Sequence, residues 1–259
     1  MYEDVESVCL FIGYTRSGHS LVGTILDAHP EAVIAHERQM FKVGRGENLG
    51  ASVAYTDRDK MFQALVATSE KHGARGRRGY RRSEPNKLIE GAANGTFTTL
   101  RVIGSKRGQE TPMAWNANPQ VFDQLSELAQ AQVRLLHVYR NPWDNISSMT
   151  RAVTPERAVR KYFKRAEVIK RFKEESATPL HDVALEDLTA NPRDEIRRLA
   201  AFYELEAADE WVEACAAVVD PEAQASRHER EWTDEEIAEV VEAKAEIPWL
   251  ARFPDSPTE

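Results

Sequence analysis

Five short stretches are apolar enough to be strands buried on both faces: Ser7 to Tyr14, Ala32 to Ala35, Leu100 to Gly104, Val133 to Tyr139, and one within Pro179 to Leu188. Between them the hydrophobic spacing changes from continuous runs to the three-and-four period of helices. Leu21, Ile25 and Leu26 fall on one helical face that ends at Ala28, because His29-Pro30 stops it. Asp57 to His72 is amphipathic, Pro119 to Gln130 is helical, and Pro155 to Glu175 is a long charged helix. Asn141-Pro142-Trp143-Asp144 places an N-cap, a first-turn proline and an acid in the order that starts a helix. Asn191 to Tyr203 completes the series. Strands alternating with helices predict an α/β fold, a parallel sheet of about five strands with helical crossovers.

Length and composition narrow this further. A chain of 259 residues with 42% hydrophobic and 29% charged residues is an ordinary folded protein, expected to form one domain over 1–259. A formal net charge of -8 argues against general nucleic-acid binding, which needs a positive field. Cys9 lies in an apolar run and Cys215 in an alanine-rich one, so both read as small buried residues and not as a disulfide. Neither a signal core nor an apolar run of about 20 residues is present, so a soluble protein without a membrane span is expected, cytoplasmic by default. Gly73 to Lys87 breaks the pattern: five arginines and three glycines stand within Gly73 to Arg82, which reads as an insert. Asp255 to Glu259 is expected to fray.

The turn after the first strand is Gly13-Tyr14-Thr15-Arg16-Ser17-Gly18-His19-Ser20. Its glycines have the G-x-x-x-x-G spacing of a P-loop, with Ser20 at the Ser/Thr position. Such a loop aims backbone N–H groups at a phosphate, at a helix N-terminus whose dipole also favours negative charge. The lysine that reaches the β- and γ-phosphates is missing, since His19 stands there, and a cation sits inside the loop instead, at Arg16. That arrangement suits a single 5′-phosphate better than a metal-bridged triphosphate.

Phe11 to Ser20, followed by Ile25-Leu26-Asp27-Ala28-His29-Pro30, resembles the opening of the sulfotransferases that use 3′-phosphoadenosine 5′-phosphosulfate (PAPS), most nearly their carbohydrate and tyrosylprotein branch. His19 departs from the usual Thr or Ser. A second block, Leu135 to Pro142 continuing to Ser147-Ser148, is similar to that family's 3′-phosphate site, where an arginine ends a strand and a serine follows eight positions later; Arg140 and Ser148 match. The chemistry agrees, because a guanidinium fork and a hydroxyl are natural phosphate donors. Val183 to Leu188 with Asn191-Pro192 also resembles the family and reads as scaffold, whereas Val43 to Leu100 does not resemble it and is where acceptor specificity is expected.

The resemblance implies a donor site of Arg16, Ser17, Gly18, His19, Ser20, Arg140 and Ser148, with Arg227 as a further 3′-phosphate contact. It implies PAPS as co-substrate with no metal, and a P-loop-like sheet flanked by helices. For catalysis it implies Glu37 as general base, Lys106 assisting the leaving oxygen, and Arg16 completing the cation set. His36 is the rival base, although alternation along a strand turns it to the opposite face from Glu37. The structural alternatives are an acid at a helix start for Glu37, a solvated strand-end lysine for Lys106, and an Asp144 partnership for Arg140 and Ser148. The acceptor is expected to be a small molecule, glycan or lipid bearing a hydroxyl or amine, anionic if the arginine-rich insert recruits it. Two rivals remain: a P-loop small-molecule kinase, for which the loop lysine is missing, and a non-catalytic nucleotide-binding module, against which Glu37 and Lys106 both speak.

Overall fold

The structure, a computed structural model, describes residues 2–44, 50–74, 88–221 and 225–258. In chain order the strands are β1 (Ser7–Gly13), β2 (Ala32–Ala35), β3 (Phe41–Val43), β4 (Ala51–Val53), β5 (Val102–Ser105), β6 (Gln132–Tyr139) and β7 (Leu180–Ala184). The helices are α1 (His19–Asp27), α2 (Arg58–Ala74), α3 (Thr111–Ala117), α4 (Val121–Ala129), α5 (Pro142–Thr150), α6 (Pro155–Glu175), α7 (Leu185–Ala190), α8 (Pro192–Phe202), α9 (Asp209–Ala216) and α10 (Asp234–Ala245). Two single 3₁₀ turns, Ser226–Glu229 and Pro248–Leu250, stand on either side of α10.

Five strands form one sheet in the order β2-β5-β1-β6-β7, every neighbouring pair parallel. β1 is central and buried along its whole length, which is why it reads as an unbroken apolar run. Its side chains still alternate. Val8, Leu10 and Ile12 join the core under α2, α3, α4 and α6, while Cys9 and Phe11 join the core under α1, α8 and α9. β6 continues both layers, with Val133 and Leu135 on the first face and Leu136 and Val138 on the second. The result is a sheet between two helical layers, the α/β architecture expected of the alternating pattern.

Helix starts follow local chemistry. Asn141 accepts the Trp143 N–H at 2.9 Å, with Pro142 at the first helical position of α5. Asp57 accepts from the Lys60 N–H at 2.8 Å at the start of α2, and Thr233 and Glu236 form a capping box at α10. Boundaries differ from the expected ones by one to three residues, a scale at which fraying ends decide. Besides α10, three features were not anticipated. Phe41–Val43 pairs antiparallel with Ala51–Val53 as a separate hairpin packed on α3, the seven-residue α3 follows β5, and the stretch after 185 forms the short α7 directly on leaving β7. From residue 75 onward, the arginine-rich stretch lies outside the described residues.

Candidate active site

The carboxyl ends of the parallel strands converge on one edge of the sheet. The phosphate loop leaves β1 there, Glu37 stands two residues past β2, Lys106 one past β5, Arg140 one past β6, and Glu186 two past β7. The chain runs from β1 toward β5 and β2, then crosses to β6, so the strand order switches beside β1. Ligands of open α/β sheets bind in the crevice at such a switch.

In the loop, the Ser17 hydroxyl donates to the Tyr14 carbonyl at 2.9 Å and Thr15 donates to Gln109 at 3.1 Å. Gly18 takes a left-handed conformation, φ 101°, which a side chain would strain, and it opens α1 with no side chain capping the first turn. Arg16 is also left-handed, φ 72°, an unfavourable state for a residue with a Cβ and of a kind that concentrates at ligand clamps. The His19 ring turns away from the loop's outer face. It packs edge-on against Phe11 and lies so close to Gly108 that a Cβ there would come within 2.3 Å of it. Burial, and then the nearby Lys106 charge, lower its pKa to about 3, so the ring is neutral. The His19 side chain is therefore a wedge under the loop, against Phe11 and Gly108.

Across the crevice, Arg140 is 7% exposed and donates through Nη2 to the Asp144 carbonyl. Burial lowers its pKa despite the Asp144 and Glu186 carboxylates nearby. The Asp144 carboxylate itself is taken by Arg227, through the backbone N–H at 2.7 Å and Nη1 at 2.8 Å. Arg227 is thus a half-buried partner of the β6–α5 junction and not a free surface charge. Ser148 accepts from Arg16 Nε at 3.0 Å, and Asn145 donates to the Thr15 carbonyl at 2.8 Å, so α5 clasps the loop. The expected alternative for Ser148, a bond back to the Asp144 carbonyl, gives way to this contact. Arg140 Nε, Ser147 Oγ, Tyr162 Oη and Ser226 Oγ are buried with no hydrogen-bond partner among the described residues. Leaving so many polar atoms unsatisfied is costly unless a ligand completes them.

On the other side of the loop, Lys106 is 7% exposed and its Nζ donates to Ser20 at 2.8 Å and to Glu37 at 3.3 Å. It is not a solvated strand-end lysine. Glu37 is 45% exposed and left-handed, φ 58°, and no helix follows it, so the helix-start alternative does not hold. His36 lines a small cavity with Asp27, Ser69, Thr24 and the Lys106 side chain, on the inner side of Glu37. Arg107, beside Lys106, pairs with Glu110 at 2.6 Å.

Two contributors, Glu186 and the Tyr14 brace, were not read from the sequence, and a third, Asp144, was read only as an alternative partner of Arg140 and Ser148. Asp144 organises Arg140 and Arg227 together; its i,i+4 spacing from Arg140 was the available signal. The Asn141 N–H is held by Glu186 at 2.7 Å. Tyr14, at the root of the loop, stacks on Tyr162 at 4.2 Å and accepts from Trp249 Nε1 at 3.2 Å, a contact that spans 235 residues and leaves no local trace.

Comparison with known proteins identifies the family and the fold. A sulfotransferase family model matches residues 10–210. The sulfotransferase domain of the Synechococcus PCC 7002 olefin synthase superposes with a TM-score of 0.51 at 14% identity, covering 93% of this chain and 94% of that one. A sulfotransferase domain from the curacin biosynthetic pathway gives 0.51 at 15% identity, covering 97% and 100%. Sulfotransferase STF1 of Mycobacterium tuberculosis H37Rv gives 0.50 at 11%, covering 91% and 76%. At these identities the likeness is one of fold. Comparison with curated protein sequences gives no significant match. The family match extends from the first strand through the phosphate loop, Lys106 and the Arg140 junction into α9, and this chain belongs to the sulfotransferase family.

Proposed function

We propose that the protein transfers a sulfuryl group from PAPS to an acceptor hydroxyl or amine, in line, with Glu37 as general base. The observation that carries this reading is Lys106, whose ammonium reaches both Ser20 on the phosphate loop and the Glu37 carboxylate. One cation thereby joins the place where a leaving phosphate would be held to the group that would take the acceptor's proton.

The residues present fit the donor. The amides from Ser17 to Ser20 and the Arg16 guanidinium suit the 5′-phosphosulfate end. Arg140, with a buried Nε lacking a partner, suits the 3′-phosphate together with Ser148, and Arg227 stands beside them on Asp144. PAPS supplies a sulfuryl group activated on a phosphate leaving group. Glu37 accepts the acceptor's proton as the oxygen or nitrogen turns nucleophilic. Lys106 and Arg16 hold positive charge where negative charge grows on the leaving side, and their partial burial strengthens that effect. The neutral His19 ring under the loop does not supply the cation that a nucleoside triphosphate requires at this position, which counts against the kinase alternative.

The test is transfer of label from PAPS to pooled glycans, phenols, lipids and amines, with thermal stabilisation by adenosine 3′,5′-bisphosphate measured alongside. The expected result is metal-independent transfer and stabilisation by the bisphosphate. Preference for ATP with magnesium would overturn the reading.

A further inference from the structure

α6 carries eight lysines and arginines against four glutamates, in a chain whose net charge is -8. Its cations are not evenly placed. Arg157, Arg160, Lys161 and Lys164 follow the i, i+3, i+4, i+7 spacing that puts four side chains on one helical face. Arg157, Arg160 and Lys164 are exposed and Lys161 is half-buried. None of the four has an ion pair among the described residues, whereas Lys170, Arg171 and Lys173 further along the same helix pair with Glu246, Glu175 and Asp182. Like charges at this spacing destabilise a helix. At Lys161 the pKa is lowered first by partial burial and then by the neighbouring charges of Arg157, Arg165 and Arg160.

The row is about 10 Å long at 1.5 Å per residue. The opposite face of the same turns builds the active site: Tyr162 stacks on Tyr14 of the loop. Arg165, between the two faces, is half-buried with an Nε that has no hydrogen-bond partner among the described residues. The basic row therefore stands about one helix diameter, roughly 10 Å, from the phosphate loop. Its chemistry selects among partners. A membrane-lying helix needs an apolar face and a stable protein interface needs an apolar or aromatic centre. Among the described residues the one exposed large hydrophobic side chain is Leu88, which is not on α6. A straight row of cations without apolar anchors fits a linear, hydrated polyanion.

We infer that the Arg157–Arg160–Lys161–Lys164 face of α6 binds an acidic glycan chain. The binding stands on the row itself; that the bound chain is also the acceptor rests on the sulfotransfer reading proposed above.

The experiment uses the full chain and a fluorescent polygalacturonate as the carboxylated glycan, with neutral dextran and phosphatidylserine-containing vesicles as comparison probes. Polygalacturonate should bind in a salt-dependent manner and dextran should not. In R157Q/R160Q/K161Q/K164Q the affinity should fall roughly tenfold or more and the salt dependence should flatten. Bisphosphate affinity should be unchanged, which also reports that the variant is folded. The control R193Q/R197Q, which removes two exposed but ion-paired cations on α8, should bind like the parent protein. Equal polygalacturonate binding by parent and quadruple variant overturns the inference. So does binding of vesicles without the glycan, which would assign the row to a membrane. Weaker bisphosphate binding in the folded variant also overturns it, by assigning the row to donor capture. Loss of PAPS transfer and of bisphosphate binding in the parent protein, with the glycan result intact, would instead refute the sulfotransfer reading and leave the polyanion site standing.

Discussion

The two sides of the crevice are built differently. On the β6 side, Arg140, Asp144, Asn145 and Ser148 are buried, and each holds a named partner on the loop, the junction or the late 3₁₀ turn. On the β2 side, Glu37 is nearly half exposed, the next two residues are also exposed, and a two-stranded hairpin of three-residue strands follows. On the proposed reading, the first side is a preformed receptor for the nucleotide, whose charges do not vary, and the second carries the base on an open shoulder that can meet acceptors of different shape. Preorganisation is worth most where the partner is constant.

The largest expected effect lies on the open side. Glu37→Gln keeps size and polarity but removes the proton acceptor, so kcat should fall by about 10²–10⁴ while bisphosphate affinity stays intact. If nucleotide binding falls instead, the carboxylate belongs to the donor receptor and the contrast between the sides fails.

The rigid side should show its own weakness, to acid. His137, fully buried beside Tyr14, has its pKa lowered to about 4 by burial, although its bond to Asp182 opposes the shift. A histidine whose folded pKa lies below its unfolded value near 6.5 favours the unfolded chain once protons become available. Stability is therefore full above about pH 6.5 and should fall by about 3 kcal/mol as pH drops to 4. His19, lowered further, adds to the loss in the same direction. Urea unfolding at several pH values measures this, and His137→Gln should flatten the profile. An unchanged slope in that variant would mean that another group carries the acid sensitivity.

Arg140→Ala should weaken bisphosphate binding by roughly 1.5–3 kcal/mol, the worth of a charge-assisted hydrogen bond, and should hardly alter binding of a nucleotide lacking the 3′-phosphate. Equal losses for both nucleotides would remove Arg140 from 3′-phosphate recognition. The smallest change is expected at His36→Gln. The ring faces the inner cavity beside Asp27 and Ser69, so turnover should be mildly reduced with its pH profile unaltered. If that variant is inactive and Glu37→Gln is tolerated, the base assignment reverses.

The same contrast explains what could be read from the chain. Strands such as Ser7–Gly13 are legible because burial on both faces demands an unbroken apolar run. The loop is legible because holding an anion on backbone amides demands glycines at fixed spacing. Arg140 and Ser148 are legible only as a pair, through eight residues of strand end and helix. The hairpin strands are three residues long, too short for alternation to register, and their role is local packing on α3. The Arg227–Asp144 pair joins residues 83 positions apart and leaves no local trace; the chain offered Arg227 only as a phosphate contact. The α6 row was visible as a charged helix, but its lack of carboxylate partners is a property of the folded surroundings.

The indole of Trp249 on the Tyr14 hydroxyl has a consequence for how the protein is made. During synthesis, β1 and its glycine turn emerge well before their support, because the residue that braces the turn is translated 235 positions later. The same late segment also holds Trp143 through the Pro254 carbonyl at 2.9 Å. A nascent chain can form much of the parallel sheet on the ribosome while its glycine turn still lacks this prop. If the donor is bound as proposed, nucleotide should act on folding as a late-stage chaperone, capturing the finished crevice and adding little to the partial one.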